Sequence, residues 1–469
     1  MTEVDVGVLG VGTGGEDLAL QLLDSGLEVA GIEPGLVGGE CPYWACIPTK
    51  MAIRAANLVA EGRRLAGVAG RAEVVPDWSQ VARRIREEAT GGWDDGPAAA
   101  RFEERGGILL RGRGRLVGPR RVAVGDETVV ARIGVVVATG SRPAIPPIPG
   151  LDGVDFWTTR EAVSAEALPA SLAVIGGGAV GCELGQVFAR FGVEVSVVEG
   201  RSRLLGNEEP EASHLVATVF EREGIRLHLG VAVDRVERVE TGTRLVLGDG
   251  SNIEVEKTLV ATGRSVSLAD LGLETVGLDP TARYLEVDER MRAGEATWAL
   301  GDVTGKAMFT HMALHQSAVI AADMTGRDPD PIDYEAIPRV TFTDPEVASV
   351  GLTEAQARER GLAVAVANKD VPSTFRGWLH DTDQPGLIKL VIEESTGTLL
   401  GATVAAPHGG EVLGLLTLAV QERHTVSSLR RLTYAFPTFH GGVGEALGAY
   451  ARGTGTVIDP AYASAGYLD

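Results

Sequence analysis

The sequence is poor in cysteine, in aromatic residues and in long hydrophobic runs. Only 3 of its 469 residues are cysteine, and aromatic residues make up 5%. Three cysteines are too few for a framework of structural disulfides. No apolar run reaches the roughly 18 residues that a membrane-spanning helix needs, so we expect no transmembrane segment. Residues 1–5 have no basic region, so we also expect no secretory signal and a cytoplasmic, reducing location.

The charge is strongly one-sided. The chain has 64 acidic and 43 basic residues, which gives a formal net charge of −21. An acidic surface repels nucleic acids and anionic lipids, so neither a nucleic acid nor a membrane is an expected partner. The length corresponds to about three domains at roughly 100–200 residues per domain. Glycine is plentiful at 62 residues, and it suits folds with many tight strand-to-helix turns.

Residues 4–33 carry the pattern strand, glycine turn, helix and strand. Gly10, Gly12 and Gly15 form the motif G-x-G-x-x-G, and Glu33 ends the following strand. In this motif the first glycine permits a tight turn, the second lets the backbone approach a pyrophosphate, and the third lets the helix pack on the strand. The terminal acid accepts hydrogen bonds from a ribose. A single match could still be a chance glycine turn.

The same pattern recurs after the proline-rich stretch 146–150. Gly176, Gly178 and Gly181 form the second motif, and Glu199 ends the next strand. Two matches, each between a strand and a helix, predict two dinucleotide-binding units of the same design.

The residues after the second motif bear on the choice of coenzyme. Glu199 would repel a 2′-phosphate, which favours NADH. Arg201 and Arg203 follow at once and could bind that phosphate, so NADPH stays open.

Two of the three cysteines lie close together. Cys41 and Cys46 fall in the segment 38–50, directly after the first unit. Four residues between them, at the start of a helix, allow the sulfurs to meet across one turn, and the helix dipole would stabilise a thiolate there. We predict a redox-active pair; the alternative is two buried free cysteines.

With these motifs the sequence resembles the pyridine nucleotide-disulfide oxidoreductases, the family of dihydrolipoamide dehydrogenase, glutathione reductase and mercuric reductase. The resemblance covers essentially the whole chain. It is carried further by Ala138-Thr139-Gly140, Ala261-Thr262-Gly263, Ala299-Leu300-Gly301-Asp302 and the stretch 342–353.

The resemblance implies an α/β fold with two Rossmann-like FAD- and NAD(P)-binding domains plus an α+β interface, or dimerisation, domain. The expected boundaries are 1–149 for the first part of the FAD-binding domain, 150–268 for the NAD(P)-binding domain, 269–335 for the second part of the FAD-binding domain, and 336–469 for the interface domain. It also implies a homodimer formed through the last of these.

Roles for individual residues follow from the same resemblance. Cys41 would be the interchange thiol that meets the substrate, and Cys46 the thiol next to the flavin. Lys50 and Glu183 would pair where the hydride arrives, or else form an ordinary inter-domain salt bridge. Asp302 would contact the ribityl chain of FAD.

The resemblance implies FAD and NADH or NADPH as cofactors, with electrons passing from the nicotinamide through FAD to the cysteine pair and on to a disulfide or thiol substrate. We predict no metal site. The expected cofactor-binding residues are Gly10, Gly12, Gly15, Glu33, Gly39, Lys50, Thr139, Gly140, Asp302, Gly176, Gly178, Gly181, Glu199, Arg201 and Gly263.

The C-terminal segment departs from the family pattern. Disulfide reductases of the family carry a His-Pro-Thr segment with a Glu five residues after the His; here Phe436 stands at the base position and Gly441 at that of its Glu partner. A phenyl ring exchanges no proton, and a positioned acid–base group is worth roughly 10²–10⁴-fold in rate. His440, expected in the first turn of a helix capped by Thr438, is a candidate replacement, with Glu445 as its possible partner. His440 could equally be a surface or interface residue.

The replacement of His by Phe resembles one divergent member of the family, 2-ketopropyl-coenzyme M oxidoreductase/carboxylase, as does Pro42 after the first cysteine. Three kinds of acceptor therefore stay open: a small-molecule or protein-bound disulfide, a quinone-type acceptor that needs no thiol base, or carboxylase-like chemistry at the cysteine site. A redox sensor without turnover is a further alternative. Tyr43 and Trp44 either narrow the approach to Cys41 or fill space.

Overall fold

The computed structural model describes residues 1–66, 68–380 and 385–453. Residues 454–469 of the predicted interface domain lie outside the described residues. None of the described helices is both long and apolar enough to cross a bilayer.

The first part of the chain alternates strands and helices. Its elements are β1 (Thr2–Leu9), α1 (Thr13–Asp24), β2 (Val29–Glu33), α2 (Glu40–Tyr43), α3 (Cys46–Arg63), α4 (Trp78–Arg84), a π-helical turn (Ile85–Ala89), α5 (Gly96–Glu104), β3 (Ile108–Arg111), β4 (Gly114–Gly118), β5 (Arg121–Val124), β6 (Glu127–Val137) and β7 (Arg142–Pro143).

The second part repeats this alternation. Its elements are a 3-10 turn (Leu151–Gly153), β8 (Phe156–Trp157), α6 (Thr159–Ser164), β9 (Ser171–Ile175), α7 (Ala179–Arg190), β10 (Glu194–Glu199), α8 (Pro210–Arg222), β11 (Arg226–Leu229), β12 (Val233–Val239), β13 (Gly242–Leu247), β14 (Asn252–Val255), β15 (Lys257–Val260) and β16 (Arg264–Ser265).

The remaining elements form a short third segment and a mixed C-terminal region. They are two 3-10 turns (Leu273–Val276 and Gly301–Thr304), β17 (Arg292–Gly294), β18 (Thr297–Ala299), α9 (Thr310–Met324), β19 (Arg339–Thr341), β20 (Glu346–Gly351), α10 (Glu354–Glu359), β21 (Val364–Asp370), α11 (Phe375–His380), β22 (Leu387–Glu393), β23 (Leu399–Ala406), α12 (Gly409–Gln421), α13 (Val426–Arg430) and α14 (Phe439–Ala451).

Two mainly parallel sheets and one five-stranded antiparallel sheet organise most of these elements, and β12-β13-β14 and β7-β16 form two smaller sheets. The first sheet has the order β17-β18-β6-β1-β2-β3, with β5 pairing β6 and β4 pairing β5; the second has the order β11-β10-β9-β15-β8. The parallel pairing of β1 with β2 and of β9 with β10 is the arrangement expected of the two glycine motifs. The antiparallel sheet has the order β19-β20-β23-β22-β21. This arrangement confirms the α/β class.

The apolar runs of the central strands account for their positions in the middle of the sheets. Both faces of β1 and β9 are covered, and their inner residues, such as Val6, Val8 and Val174, are fully buried. Such continuous apolar runs suit a central parallel strand, whereas an exposed face would demand polar alternation. The glycine turns therefore open at the carboxyl ends of buried strands.

The structure refines three local predictions. Apolar periodicity predicts helices from Asp17 and Glu183, but α1 begins at Thr13 and α7 at Ala179, because each glycine turn leads straight into its helix. The stretch 77–106, predicted to be helical, is helical over most of its length but turns at Gly91-Gly92-Trp93, where φ is positive at all three residues. The antiparallel meander predicted within 107–140 is confirmed for β4, β5 and β6, whereas β3 runs parallel to β2.

A buried lysine ties the second parallel-sheet unit to the antiparallel sheet. Lys389 on β22 lies 3.0 Å from Glu209, 2.7 Å from Glu211 and 2.9 Å from Glu354. The side chains of Lys389 and Glu209 are each 2% exposed. A hydrogen bond from Lys389 holds the pKa of Glu354 below its usual value. Because a buried charge depends on its partners, this cluster fixes the two parts of the molecule against each other.

We expect Lys389→Met to destabilise the protein by about 3 kcal/mol or more, because three carboxylates lose their shared cation. A depressed carboxyl pKa contributes stability above the unfolded-state pKa and loses it as the pH falls through the folded-state pKa. The variant lacks that contribution from Glu354, so its deficit should be largest near neutral pH and shrink below about pH 4. The free energy of unfolding of the parent and the variant, from urea unfolding near neutral pH and below about pH 4, measures this deficit.

The matched control is Lys257→Met, because the Asp155 partner of that lysine is 81% exposed. An exposed pair of this kind is worth about 1 kcal/mol or less. A Lys389→Met deficit no larger than that of the control, or one that grows on acidification, would contradict the role given to the buried cluster.

Candidate active site

The two glycine turns share one geometry. Gly10 and Gly176 follow β1 and β9 with positive φ angles of 99° and 113°. A Cβ on Gly15 would overlap the carbonyl oxygen of Gly10, and Gly181 stands in the same relation to Gly176. The first glycine of each motif is thus required by its left-handed backbone, and the third by the close packing of helix on turn.

The acid that ends each second strand is held in the same way in both units. Glu33 accepts two hydrogen bonds at 2.8 Å, one from the amide of Val11 and one from the amide of the second residue after Glu33 itself. Glu199 accepts hydrogen bonds from the amides of Gly177 at 2.7 Å and Arg201 at 2.8 Å. Burial raises the pKa of Glu33. A fixed, partly desolvated carboxylate at this point fits the hydroxyl groups of a ribose.

The middle glycines leave the space that a dinucleotide requires. A Cβ on Gly39 would lie 2.8 Å from the Cα atom of Gly12, so position 39 has no room for a side chain, whereas a Cβ on Gly12 would make only an ordinary contact at 3.9 Å. Around Gly178 a Cβ would meet nothing within 4 Å. Both turns therefore present bare backbone and a helix N-terminus, which is the environment that binds a pyrophosphate.

The ends of the two units meet beside Asp302. Ser141 donates a hydrogen bond to the carboxylate of Asp302, and the Nε atom of Arg264 lies 3.4 Å from the same group. Arg264 also donates to the Ser141 hydroxyl at 2.6 Å. Gly140 and Gly263 flank this contact with positive φ angles of 65° and 112°. Strands β7 and β16 pair here, so the segment after one glycine unit lies against the segment after the other.

Thr139 is a further predicted cofactor residue of this segment. It is exposed and lies two residues after the end of strand β6. Its position at the carboxyl end of a parallel strand matches the edge at which such sheets bind ligands.

Cys41 and Cys46 form a disulfide. Their Cα atoms are 4.7 Å apart. Cys41 lies in the short helix α2, and Cys46 begins α3. This pairing confirms that the spacing of the two residues lets their sulfurs meet across one turn.

A residue that the sequence did not single out contacts the second cysteine. The Sγ atom of Cys46 lies 3.4 Å from the Oγ1 atom of Thr310, the first residue of α9. Cys46 therefore faces the N-termini of two helices, α3 and α9, and the positive end of each favours a thiolate. No local pattern could have shown this, because 264 positions separate the two residues.

Lys50 and Glu183 are brought together as expected. The Nζ atom of Lys50 lies 2.7 Å from Oε2 of Glu183, whose side chain is 4% exposed. The other carboxylate oxygen accepts a hydrogen bond at 2.8 Å from the amide of Phe342. The ammonium group also lies 4.7 Å above the Phe342 ring. The pair stands one turn along α3 from Cys46, so the charge of Lys50 is held close to the disulfide.

Phe436 occupies the position that the sequence predicts for the family's base, and a phenyl ring transfers no proton. Phe436 is 69% exposed, and its ring packs edge-on against Phe375 with centroids 5.0 Å apart. The Thr438 side chain caps α14 by accepting from the amide of Gly441 at 3.1 Å, as expected. His440 is the second residue of α14 and is half-buried.

The suggested partner of His440 is engaged elsewhere. Glu445 pairs with Lys369 at 3.1 Å, and their side chains are 14% and 5% exposed. A buried lysine holds its carboxylate firmly, because either charge alone would be costly there. This pairing argues against Glu445 as the residue that orients His440.

Several neighbouring residues pack rather than take part in the redox pair. Cys182 is fully buried, its Sγ atom donates to the carbonyl of Gly177 at 3.3 Å, and burial raises the pKa of its thiol. His311 stacks on Phe309 with ring centroids 5.2 Å apart. Tyr43 is buried, and Trp44 stacks on Trp93 rather than packing on the antiparallel sheet.

Comparison with known protein families gives two matches. Residues 4–317 match the model of the pyridine nucleotide-disulphide oxidoreductases. Residues 337–447 match the dimerisation domain of the same family. Together the two matches span most of the chain.

Relatives with curated functions align over nearly the full length. A mercuric reductase of Shigella flexneri is 34% identical over 450 residues, covering 92% of this chain and 78% of the relative. A dihydrolipoyl dehydrogenase of Thermus scotoductus is also 34% identical, over 465 residues that cover 96% of this chain and 98% of the relative.

Solved structures agree with the fold. LpdA of Mycobacterium tuberculosis superimposes with a TM-score of 0.85 at 27% identity, covering 96% of this chain and 100% of that one. RclA of Escherichia coli, described as an HOCl-induced flavoprotein disulfide reductase, gives a TM-score of 0.85 at 24% identity, and the alignment covers 96% of this chain and 99% of RclA. The chain therefore belongs to the pyridine nucleotide-disulphide oxidoreductase family and is a flavin-dependent enzyme that transfers electrons between NAD(P)H and a disulfide.

Proposed function

We propose that Cys46 is the thiol on the flavin side of the redox pair, that Cys41 meets the acceptor, and that the enzyme works without the usual histidine base. The observation that carries this proposal is the contact of Cys46 with Thr310. It puts the second sulfur against two helix N-termini, where a thiolate is stabilised, whereas Cys41 lies in the short α2. The two sulfurs therefore differ in environment, as two different roles require.

The residues around the glycine turns fit FAD and a nicotinamide coenzyme. Gly12 and Gly39 would admit the FAD pyrophosphate, Glu33 would accept from its ribose, and Asp302 would hold its ribityl chain. When bound, FAD would supply the two-electron carrier between nicotinamide and disulfide. The ion pair of Lys50 with a buried carboxylate would keep a positive charge at that carrier.

We expect Cys41→Ser and Cys46→Ser each to abolish NADH-dependent disulfide reduction, but with different spectra. Reduced Cys41→Ser should keep a thiolate–flavin charge-transfer absorption, because its remaining sulfur faces the flavin, and reduced Cys46→Ser should lose it. Cys182→Ala is the matched control and should keep both turnover and absorption. A persistent band in Cys46→Ser would show that the two cysteine roles are reversed.

The missing base has a direct consequence for the acceptor. Phe436 exchanges no proton, and Glu445, suggested by its spacing as the partner of His440, is paired with Lys369. Dithiol–disulfide exchange requires a proton to leave and rejoin the interchange thiol, so it should be slow here. A quinone-type acceptor needs no thiol base, and Phe436 is the observation that favours it as a second candidate.

We expect the double variant Phe436→His, Gly441→Glu to raise disulfide turnover by about tenfold or more, because it restores a positioned acid–base group. A Cβ on Gly441 would lie 3.8 Å from Oγ1 of Thr438, an ordinary contact, so the backbone of this position tolerates a side chain. Steady-state NADH oxidation with a disulfide and with a quinone measures this.

Phe436→Leu with Gly441→Glu is the matched control and should leave disulfide turnover low. Quinone turnover should be similar in the parent and in both variants. Unchanged disulfide turnover in the histidine variant would contradict the role assigned to position 436, and a parent enzyme that already turns over disulfides fast, but fails after His440→Gln, would assign the base to His440.

We also propose NADH as the coenzyme. Glu199 is held by two backbone amides at the point where a 2′-phosphate would lie. The Arg203 guanidinium donates to the carbonyls of Gly206 at 2.9 Å and Glu208 at 2.7 Å, and Arg201 donates to Asn207 at 3.1 Å. Both arginines are therefore engaged within their own loop.

Replacing Glu199 by Gln should reduce the preference for NADH over NADPH by about tenfold, because a negative charge facing the 2′-phosphate is removed. The kcat/KM ratio for the two coenzymes measures this. Glu194→Gln, at the exposed start of the same strand, is the control and should leave the ratio unchanged. A parent enzyme that prefers NADPH would overturn the assignment.

We further infer a cytoplasmic homodimer that draws on the NADH pool. The match of residues 337–447 to a dimerisation domain supports the dimer. Five exposed apolar side chains of this region are consistent with a covered face: Trp378, Leu379, Leu418, Leu432 and Phe436.

A further inference from the structure

An acidic residue stands directly before the interchange cysteine and is held by two arginines of the second unit. Arg160, on α6, donates from Nε to Oε1 of Glu40 at 3.0 Å, and its Nη2 atom contacts the same oxygen. The Nη2 atom of Arg264 lies 3.7 Å from Oε2. The Glu40 side chain is 23% exposed, so its charge is only partly hydrated.

Arg160 is itself fixed by an aromatic stack on the disulfide loop. Its guanidinium lies 5.4 Å from the ring centre of Trp44, and Trp44 also stacks on Trp93 with centroids 5.5 Å apart and planes at 18°. Trp93 also donates from Nε1 to the carbonyl of Tyr43 at 3.2 Å. The loop between the two cysteines is therefore held by contacts with both Arg160 and Trp93.

The backbone of Trp93 indicates how strongly this arrangement is imposed. Trp93 has a positive φ of 58° after Gly91 and Gly92. A bulky residue in the left-handed region is a rare and strained conformation that persists only where its surroundings impose it. The stack and the hydrogen bond to the disulfide loop supply that constraint.

Glu40 directly precedes Cys41 in α2, so its charge and those of its partners would act on the redox pair. Reduction breaks the Cys41–Cys46 bond, takes a hydride equivalent from NAD(P)H and leaves one thiol and one thiolate. An uncompensated carboxylate beside Cys41 would repel the new negative charge and favour the disulfide. A guanidinium on that carboxylate removes most of the repulsion.

We propose that Arg160 is a positioning residue for the redox pair: by pairing with Glu40 it neutralises the charge next to Cys41 and keeps the disulfide reducible. The inference rests on the proposed roles of Cys41 and Cys46. It makes the second unit, which would carry the nicotinamide coenzyme, a direct contributor to the redox balance of a disulfide in the first unit.

The test is a redox titration of the holoenzyme in dithiothreitol buffers, with maleimide trapping and mass analysis of the peptides that hold the two cysteines. Arg160→Gln should make the disulfide about tenfold harder to reduce, which for a two-electron couple is a shift of about 30 mV to more negative potential. Arg105→Gln, which breaks the exposed pair with Asp24, is the matched control and should leave the equilibrium unchanged.

The decisive comparison is made in a Glu40→Gln background. There Arg160→Gln should cause no shift, because the charge that it neutralises is gone. An equal shift in both backgrounds would show a structural effect only and overturn the proposal, as would an unshifted equilibrium in the single variant. A pair that is never trapped as a dithiol under any buffer would instead overturn the proposed function.

Discussion

One buried carboxylate joins the three parts of this molecule. Glu183, on α7 of the second unit, pairs with Lys50 on α3 of the first unit and accepts the amide of Phe342, which leads into the antiparallel sheet. A buried charge is costly unless it is paired and hydrogen-bonded. Both carboxylate oxygens have hydrogen-bond partners only when all three parts are in place. Any other relative position of the parts would leave a buried charge without its partners.

The same face of α7 extends the contact. Gln186 exchanges two hydrogen bonds with the backbone of Asp344, and Arg190, 2% exposed, pairs with the Asp344 side chain. Residues 183, 186 and 190 share one helical face, and here that face is polar and buried. The glycine turn that starts α7 fixes the rotation of the helix, so the turn that would bind a coenzyme also determines how the three parts dock.

What the sequence predicted well is what depends on residues close together along the chain. The two glycine motifs, the acids that end β2 and β10, and the disulfide of Cys41 with Cys46 each lie within about one supersecondary unit, where spacing and backbone geometry are sufficient. Apolar periodicity alone places the starts of α1 and α7 too late, because each glycine turn leads directly into its helix before the first apolar residue repeats.

What the sequence could not show is set by packing between distant segments. Thr310 reaches Cys46 only because α9 returns to the first sheet, and Arg160 reaches Glu40 only because the second unit docks on the disulfide loop. Glu445 was considered as a partner for His440, yet it is paired with a buried lysine from β21. No spacing rule anticipates such contacts, since each joins residues with no shared periodicity.

In the proposed function, the site keeps its means of handling electrons but lacks the usual means of handling protons. The described residues include two glycine turns, a disulfide whose second sulfur contacts the first residue of α9, Lys50 paired with a buried carboxylate, and Arg160 paired with Glu40. The position proposed for the family's proton carrier holds Phe436, whose ring exchanges no proton. Stabilising a thiolate at helix ends needs no proton carrier, whereas release of a reduced thiol product does. The site as proposed would therefore suit an acceptor that takes electrons and obtains its protons from water.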